Sequence, residues 1–194
     1  ATGDVRAFAD ALIAKPGGAR EAVDSLQQAL KSMPGSHKLL VLLGNAFKAA
    51  NEPDKAKENY QKALQATNRT EEKAEAHLAL ADLAMAKKDY ATATGLYETA
   101  KNESLLSPRN QAYAITQMGR IYEEQGDAKK AVETYIKASE ADPNYAPPYF
   151  LAGRMFASDK DKSRRDYAMQ LIGNYLSLAP KGEYAEEAQR LAKQ

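Results

Sequence analysis

Apolar and small residues recur along this chain at steps of three and four, broken at regular intervals by short polar stretches. Between 112 and 145 one set reads Ile115, Met118, Gly119 and Tyr122, and a second reads Ala131, Tyr135 and Ala138. Each set falls on one face of a helix. Gly126 suits the turn between them, where a positive φ would be costly for other residues, and Pro143 follows as a stop. The same spacing returns upstream as Gly44, Phe47, Ala56, Tyr60 and Ala63, and downstream as Gly153, Phe156, Ala168 and Pro180. With the small residue of the first helix taken as the eighth position, units start near Gly3, His37, Ala74, Ala112 and Ala146. The intervals are 34, 37, 38 and 34 residues. A period of this length, with two amphipathic stretches per unit, predicts an all-α helix-turn-helix solenoid.

Departures from the period are informative. Insertions fall at Asn68–Lys73 and at Asn102–Asn110, where Ser107-Pro108 is expected to stop a helix. The unit beginning at Ala74 has Ala81 and Ala84 in place of the glycine and the aromatic, but keeps Tyr90, Ala93, Tyr97 and Ala100. In the last unit the second helix aligns only with about three residues added, so Ser158–Ser163 reads as an extended, mobile turn. The first unit keeps Ala22, Leu26, Ala29 and Pro34 but lacks the pattern in its first helix, as a terminal repeat facing water can. Tyr184, Ala185, Ala188 and Leu191 give the end of the chain one more short amphipathic helix.

The register through Gly119, Tyr122, Gly126, Ala131, Tyr135, Ala138 and Pro143 resembles the tetratricopeptide repeat family, and the likeness covers nearly the whole chain. It implies one domain over 1–194: a right-handed superhelical solenoid of about five repeats (3–36, 37–70, 74–107, 112–145 and 146–182) with a capping helix at 183–193. It also implies that first helices line a concave groove at positions 2, 5, 9 and 12 of each repeat. Those are Lys38, Val41, Asn45 and Lys48; Glu75, Leu78, Asp82 and Met85; Tyr113, Thr116, Arg120 and Glu123; and Pro147, Phe150, Arg154 and Ala157. Position 9 alone gives the polar ladder Asn45, Asp82, Arg120 and Arg154. With Tyr113 and Phe150 as rings that either stand exposed or pack against adjacent first helices, these six are the expected partner-binding residues. The resemblance thus implies a protein-interaction scaffold holding a segment with apolar anchors, acidic near Arg120 and Arg154 and basic or neutral near Asp82. Adaptors of the chaperone type hold a terminal carboxylate with lysine at position 5 and asparagine at position 9. Here Asn45 is present, but Val41 and Tyr113 stand where lysines are needed, so that clamp is incomplete.

Composition narrows the chemistry. The chain has 27 basic and 26 acidic residues, a net charge of +1, which gives no global pull toward nucleic acid or an anionic membrane. There is no cysteine, so disulfides, thiolate metal sites and a cysteine nucleophile are excluded. Lys87-Lys88 and Lys129-Lys130, read as equivalent turn positions, make small basic spots rather than a stripe. His37 and His77 lie 40 residues apart with no ligand spacing around them, and are expected to be packed or half-exposed imidazoles. Lys15-Pro16-Gly17-Gly18 lacks the lysine and hydroxyl of a phosphate loop, and no nucleophile elbow occurs. No enzyme activity, metal, cofactor, nucleic acid or membrane insertion is therefore expected, the longest strongly apolar run being Leu39–Leu43. Self-assembly is the alternative to partner binding, and an enzyme the second alternative; sizing over a concentration range separates the first two. The opening at Ala1 and the ending from Pro180 to Ala188 are similar in style to bacterial envelope-associated repeat proteins, with the cytoplasm as the other compartment.

Overall fold

Eleven α-helices and no strand make up the described residues of this computed structural model, which are 2–104 and 107–193. Contacts divide the chain into two units, residues 1–103 and 104–194. The first holds the pairs α1 (Thr2–Ile13) with α2 (Gly18–Ser32), α3 (His37–Ala49) with α4 (Pro53–Gln65), and α5 (Thr70–Ala86) with α6 (Tyr90–Glu103). The second holds α7 (Pro108–Glu124) with α8 (Ala128–Ala141), α9 (Pro147–Phe156) with α10 (Lys162–Leu178), and the short α11 (Ala185–Leu191).

Helix ends follow local chemistry. Ser36 and Ser107 accept from the backbone N–H groups of Leu39 and Asn110, and Asp127 and Asp161 cap α8 and α10 in the same way. Ser107-Pro108 therefore opens a helix instead of stopping one: Pro108 is the first residue of α7, where its missing N–H costs nothing, and α6 already ends at Glu103. Leu105 and Leu106, inside the expected insertion, lie outside the described residues.

The turns within three pairs are built alike. Asn51, Lys88 and Gly126 have φ of 60°, 58° and 81°. The next residue in each case donates back five residues: Glu52 to Phe47, Asp89 to Ala84 and Asp127 to Tyr122, at 2.9–3.0 Å. This is the Schellman closure, in which one left-handed residue lets the final carbonyls find partners. Lys88 is thus the counterpart of Gly126, not of Lys129-Lys130, which lie in the first turn of α8. A lysine pays a steric cost in the left-handed region that glycine avoids. Lys88→Gly should therefore raise stability by about 1 kcal/mol, less the extra freedom glycine gains when unfolded. A denaturant midpoint below that of the parent would contradict this.

Packing inside each pair turns on one glycine and one large ring. A Cβ on Gly44 would lie 2.3 Å from the Tyr60 ring, and one on Gly119 would lie 2.6 Å from the Tyr135 ring. Tyr60 and Tyr135 are fully buried, so neither ring has room to retreat. Gly119→Leu should overpack this contact and cost about 1–3 kcal/mol. An unchanged melting curve would show that the contact yields.

The last pair differs. Its second helix carries Ile172 opposite Gly153, and Tyr175 at the register position that is alanine in the earlier units (Ala63, Ala138). Tyr175 packs on Phe150 at 5.5 Å and on Tyr184 at 5.9 Å between ring centroids, closing the core under α11. The charged stretch 158–163 is only partly a turn. Lys162 and Ser163 are helical, and the turn is tied by Arg165 donating to the carbonyls of Asp159 (2.7 Å) and Lys160 (2.9 Å).

Candidate functional site

In the first unit the first helices touch one another: α3 contacts both α1 and α5. Their shared face is crossed by Arg6 to Glu75 at 2.7 Å and Lys48 to Asp82 at 3.9 Å. Buried tyrosines of the second helices reach the same face. Tyr60 donates to Asn45 Oδ1, and Tyr97 donates to Asp82 Oδ1, both at 2.7 Å. Asn45 and Asp82 remain half-buried. Val41 and Leu78, expected in the groove, are instead buried, because α3 and α5 pack on neighbouring first helices as well as on their sisters.

In the second unit the pattern continues with a shift. Tyr135 donates to Glu123 Oε2 at 2.7 Å, and Arg154 donates to Glu123 Oε1 at 2.5 Å, which joins α9 to α7. Arg120 donates to the Tyr184 hydroxyl, and the Tyr184 N–H donates to the Tyr175 hydroxyl at 2.8 Å. Phe150 is not an exposed ring. It is 1% accessible and stacks on Tyr184 with centroids 4.7 Å apart and planes 7° from parallel. The segment entering α11 covers it, which the register of the first helices alone does not reveal. Thr116 is fully buried too, its hydroxyl donating to the Ala112 carbonyl at 2.7 Å. Tyr113 is half-buried. Of the six expected contact residues, Asn45, Asp82, Tyr113, Arg120 and Arg154 keep accessible surface, and Phe150 does not.

Two family models, both described as tetratricopeptide repeat, match residues 41–104 and 112–145. The chain belongs to the tetratricopeptide repeat family. No curated protein matches it in sequence. Among solved structures it is similar to pilF of Pseudomonas aeruginosa, with 20% identity over 99% of this chain and 85% of that one, and a TM-score of 0.73. It is similar also to TTC0263, a thermophilic TPR protein of Thermus thermophilus, with 21% identity over the whole of both chains and a TM-score of 0.67. YrrB, a TPR protein with an unusual peptide-binding site, gives 19% identity over 96% of this chain and 90% of its own, with a TM-score of 0.55. At these identities the likeness shows the fold.

Within this tetratricopeptide repeat fold the electrostatics of the tyrosines are set by burial. Desolvation pushes the Tyr60 phenol well above its ordinary value, and the Asp82 charge adds to it. Tyr135 is raised in the same way by burial and by its bond to Glu123, against the opposing charges of Arg120 and Arg154. Burial also lifts Tyr145, to about 12. Tyr60 and Tyr135 therefore stay protonated donors, which is the state that Asn45 and Glu123 require. His37 is buried with Nδ1 donating to the Ala63 carbonyl at 3.0 Å, and His77 lies 2.6 Å from Glu103. Among the described residues no group of three or more histidine, aspartate or glutamate side chains is arranged to hold a metal ion. Among them, too, no helix is long and apolar enough to cross a membrane.

Proposed function

We propose that this chain is a non-catalytic scaffold whose first-helix faces hold a segment of another protein. One repeated arrangement carries the reading. In each unit a buried second-helix tyrosine fixes a polar side chain of the first helix, which stays partly open to solvent. A side chain already held in one rotamer loses little freedom when a ligand arrives, so its hydrogen bond contributes more to affinity. Asn45, Lys48 and Asp82 form this surface in the first unit. Tyr113, Arg120, Glu123 and Arg154 form it in the second. Phe150 acts beneath the surface, by supporting Tyr184 beside Arg120.

Both faces carry paired opposite charges, so the matching segment is polar and of mixed charge, and complementarity acts mainly on its association rate. The partner is identified by placing a photo-crosslinking residue at position 48, with position 28 on α2 as control, and is then titrated against two variants. Asn45→Ala with Lys48→Glu addresses the first unit, and Tyr113→Ala with Arg154→Gln the second. With folding checked by circular dichroism, at least one variant should bind about tenfold more weakly, as loss of a hot spot does. Wild-type affinity in both would overturn the reading. A mass that rises with concentration, with crosslinks between copies, would make a second copy the occupant.

A further inference from the structure

Tyr184 lies where the register of the first helices places a ligand of the second unit. Phe150 and Arg120 hold the fifth and ninth positions of their repeats, and Tyr184 engages both. Its ring stacks on Phe150 with centroids 4.7 Å apart, and its hydroxyl accepts from Arg120. Its backbone N–H donates to the Tyr175 hydroxyl at 2.8 Å. Gly182 lets the chain turn in over this site: a Cβ there would lie 2.6 Å from the Tyr175 hydroxyl and 2.9 Å from the Ala179 Cβ. Residues 182–184 thus form a strap, a piece of this chain bound on its own first-helix face.

We propose that the strap is a displaceable internal ligand, which a partner segment replaces with a tyrosine of its own and a carboxylate for Arg120. The inference rests on the first-helix reading above and names what that face recognises in the second unit. The strap itself shows that the site takes an aromatic ring carrying an oxygen. It satisfies Arg120 incompletely, however. Among the described residues the guanidinium makes no ion pair with a carboxylate, its Nε is buried without an acceptor, and Tyr184 offers only a neutral oxygen. Glu183 is exposed and acts on Arg120 only as a charge at a distance. Lys48 and Arg154, cations of the same faces, each have a carboxylate partner. A guanidinium bonds a carboxylate more strongly than a neutral hydroxyl, so a partner supplying one outcompetes the strap. The hold of the strap is also slight. Behind Tyr184 the seven-residue α11 buries Ala185 and Ala188, with Leu191 packed partly buried, and a helix so short has no stability of its own. The site beneath is already built, because Phe150 is held from below by Tyr175, with ring centroids 5.5 Å apart.

The test is an NMR titration of the full chain with a capped hexapeptide copied from the strap, Lys-Gly-Glu-Tyr-Ala-Glu. Tyr184→Ala removes the internal competitor and leaves Phe150 and Arg120 in place. That variant should show saturable shifts of the Phe150 ring and the Arg120 Nε–H at roughly millimolar peptide. Wild type should bind about tenfold or more weakly, because its tethered strap keeps the site closed most of the time. Gly182→Ala keeps Tyr184 but pushes the strap outward, and should admit the peptide too. Replacing the peptide's tyrosine by alanine, or adding Arg120→Gln to the Tyr184→Ala chain, should weaken binding about tenfold. A 4-carboxyphenylalanine in place of that tyrosine sets a carboxylate against Arg120 and should bind severalfold more tightly. Equal binding by wild type and Tyr184→Ala, no saturable binding by either folded variant, or indifference to the peptide's tyrosine would each overturn the proposal. So would a carboxylate analogue no tighter than tyrosine. None of these results touches the Asn45, Lys48, Tyr113 and Arg154 variants, on which the first-helix reading stands or falls separately.

Discussion

Tyr135→Ala is expected to remove about 3–5 kcal/mol of stability from the second unit, the range for deleting a large ring from a packed interior. Tyr135 is fully buried, and its ring lies against the backbone of Gly119. Glycine lets α7 approach that closely, so no nearby side chain can swing in to fill the space. The substitution also removes the donor to Glu123, although Arg154 still holds the other carboxylate oxygen. Domains of this size are stable by about 5–15 kcal/mol, so the loss is a large part of the total. Tyr135→Phe separates the two effects. It keeps the ring and loses only the hydroxyl bond, worth about 0.5–1.5 kcal/mol. Urea unfolding followed by far-ultraviolet circular dichroism measures both. Equal costs for alanine and phenylalanine would mean that the hydrogen bond, not the packed ring, holds the pair together.

The features that could be read from the chain are those with one physical cause written in one or two residues. Gly119 and Tyr135 are such a pair: a residue without a side chain and a large ring, at a fixed separation, announce a close helix crossing. Gly126 is another, because a turn between helices commonly needs a left-handed residue. Lys88 does the same work without the signal, and only the repeat period shows that it must. The proline at 108 was ambiguous for a physical reason, since proline is excluded from a helix interior but favoured in its first turn. The capping serine before it was the deciding clue.

The binding surface was less legible because register reports only which side of a first helix meets its sister. It is silent on the neighbouring first helices that bury Val41 and Leu78, and on α11, whose approach buries Phe150. A signal for the latter existed in Tyr175. A tyrosine where earlier units have alanine changes what can pack there, and points to an aromatic cluster with Phe150 and Tyr184. Nor does register show that polar ladder residues are engaged by tyrosines, because those bonds run between positions 12 or 15 residues apart.

The same tyrosines make the fold sensitive to alkali. An exposed phenol in the unfolded chain loses its proton near pH 10. In the folded chain, burial holds Tyr60 and Tyr135 above that value and Tyr145 at about 12. Below pH 10 both states keep these protons, so the stabilisation is complete and independent of pH. As pH rises further the unfolded state releases protons that the folded state retains, and stability falls. Well above pH 10 each such group contributes about 1.4 kcal/mol per pH unit, and between pH 10 and 11, where the unfolded phenol is part-ionised, about 1 kcal/mol, so the second unit, with Tyr135 and Tyr145, should lose roughly 2 kcal/mol. The first unit, with Tyr60, should lose about half as much. Urea unfolding at pH 8, 10 and 11 measures the slope. Tyr135→Phe removes one titrating group, so its stability should be lower than wild type at pH 8 yet decline less steeply above pH 10. If both proteins decline with the same slope, burial of these hydroxyls does not control the alkaline transition.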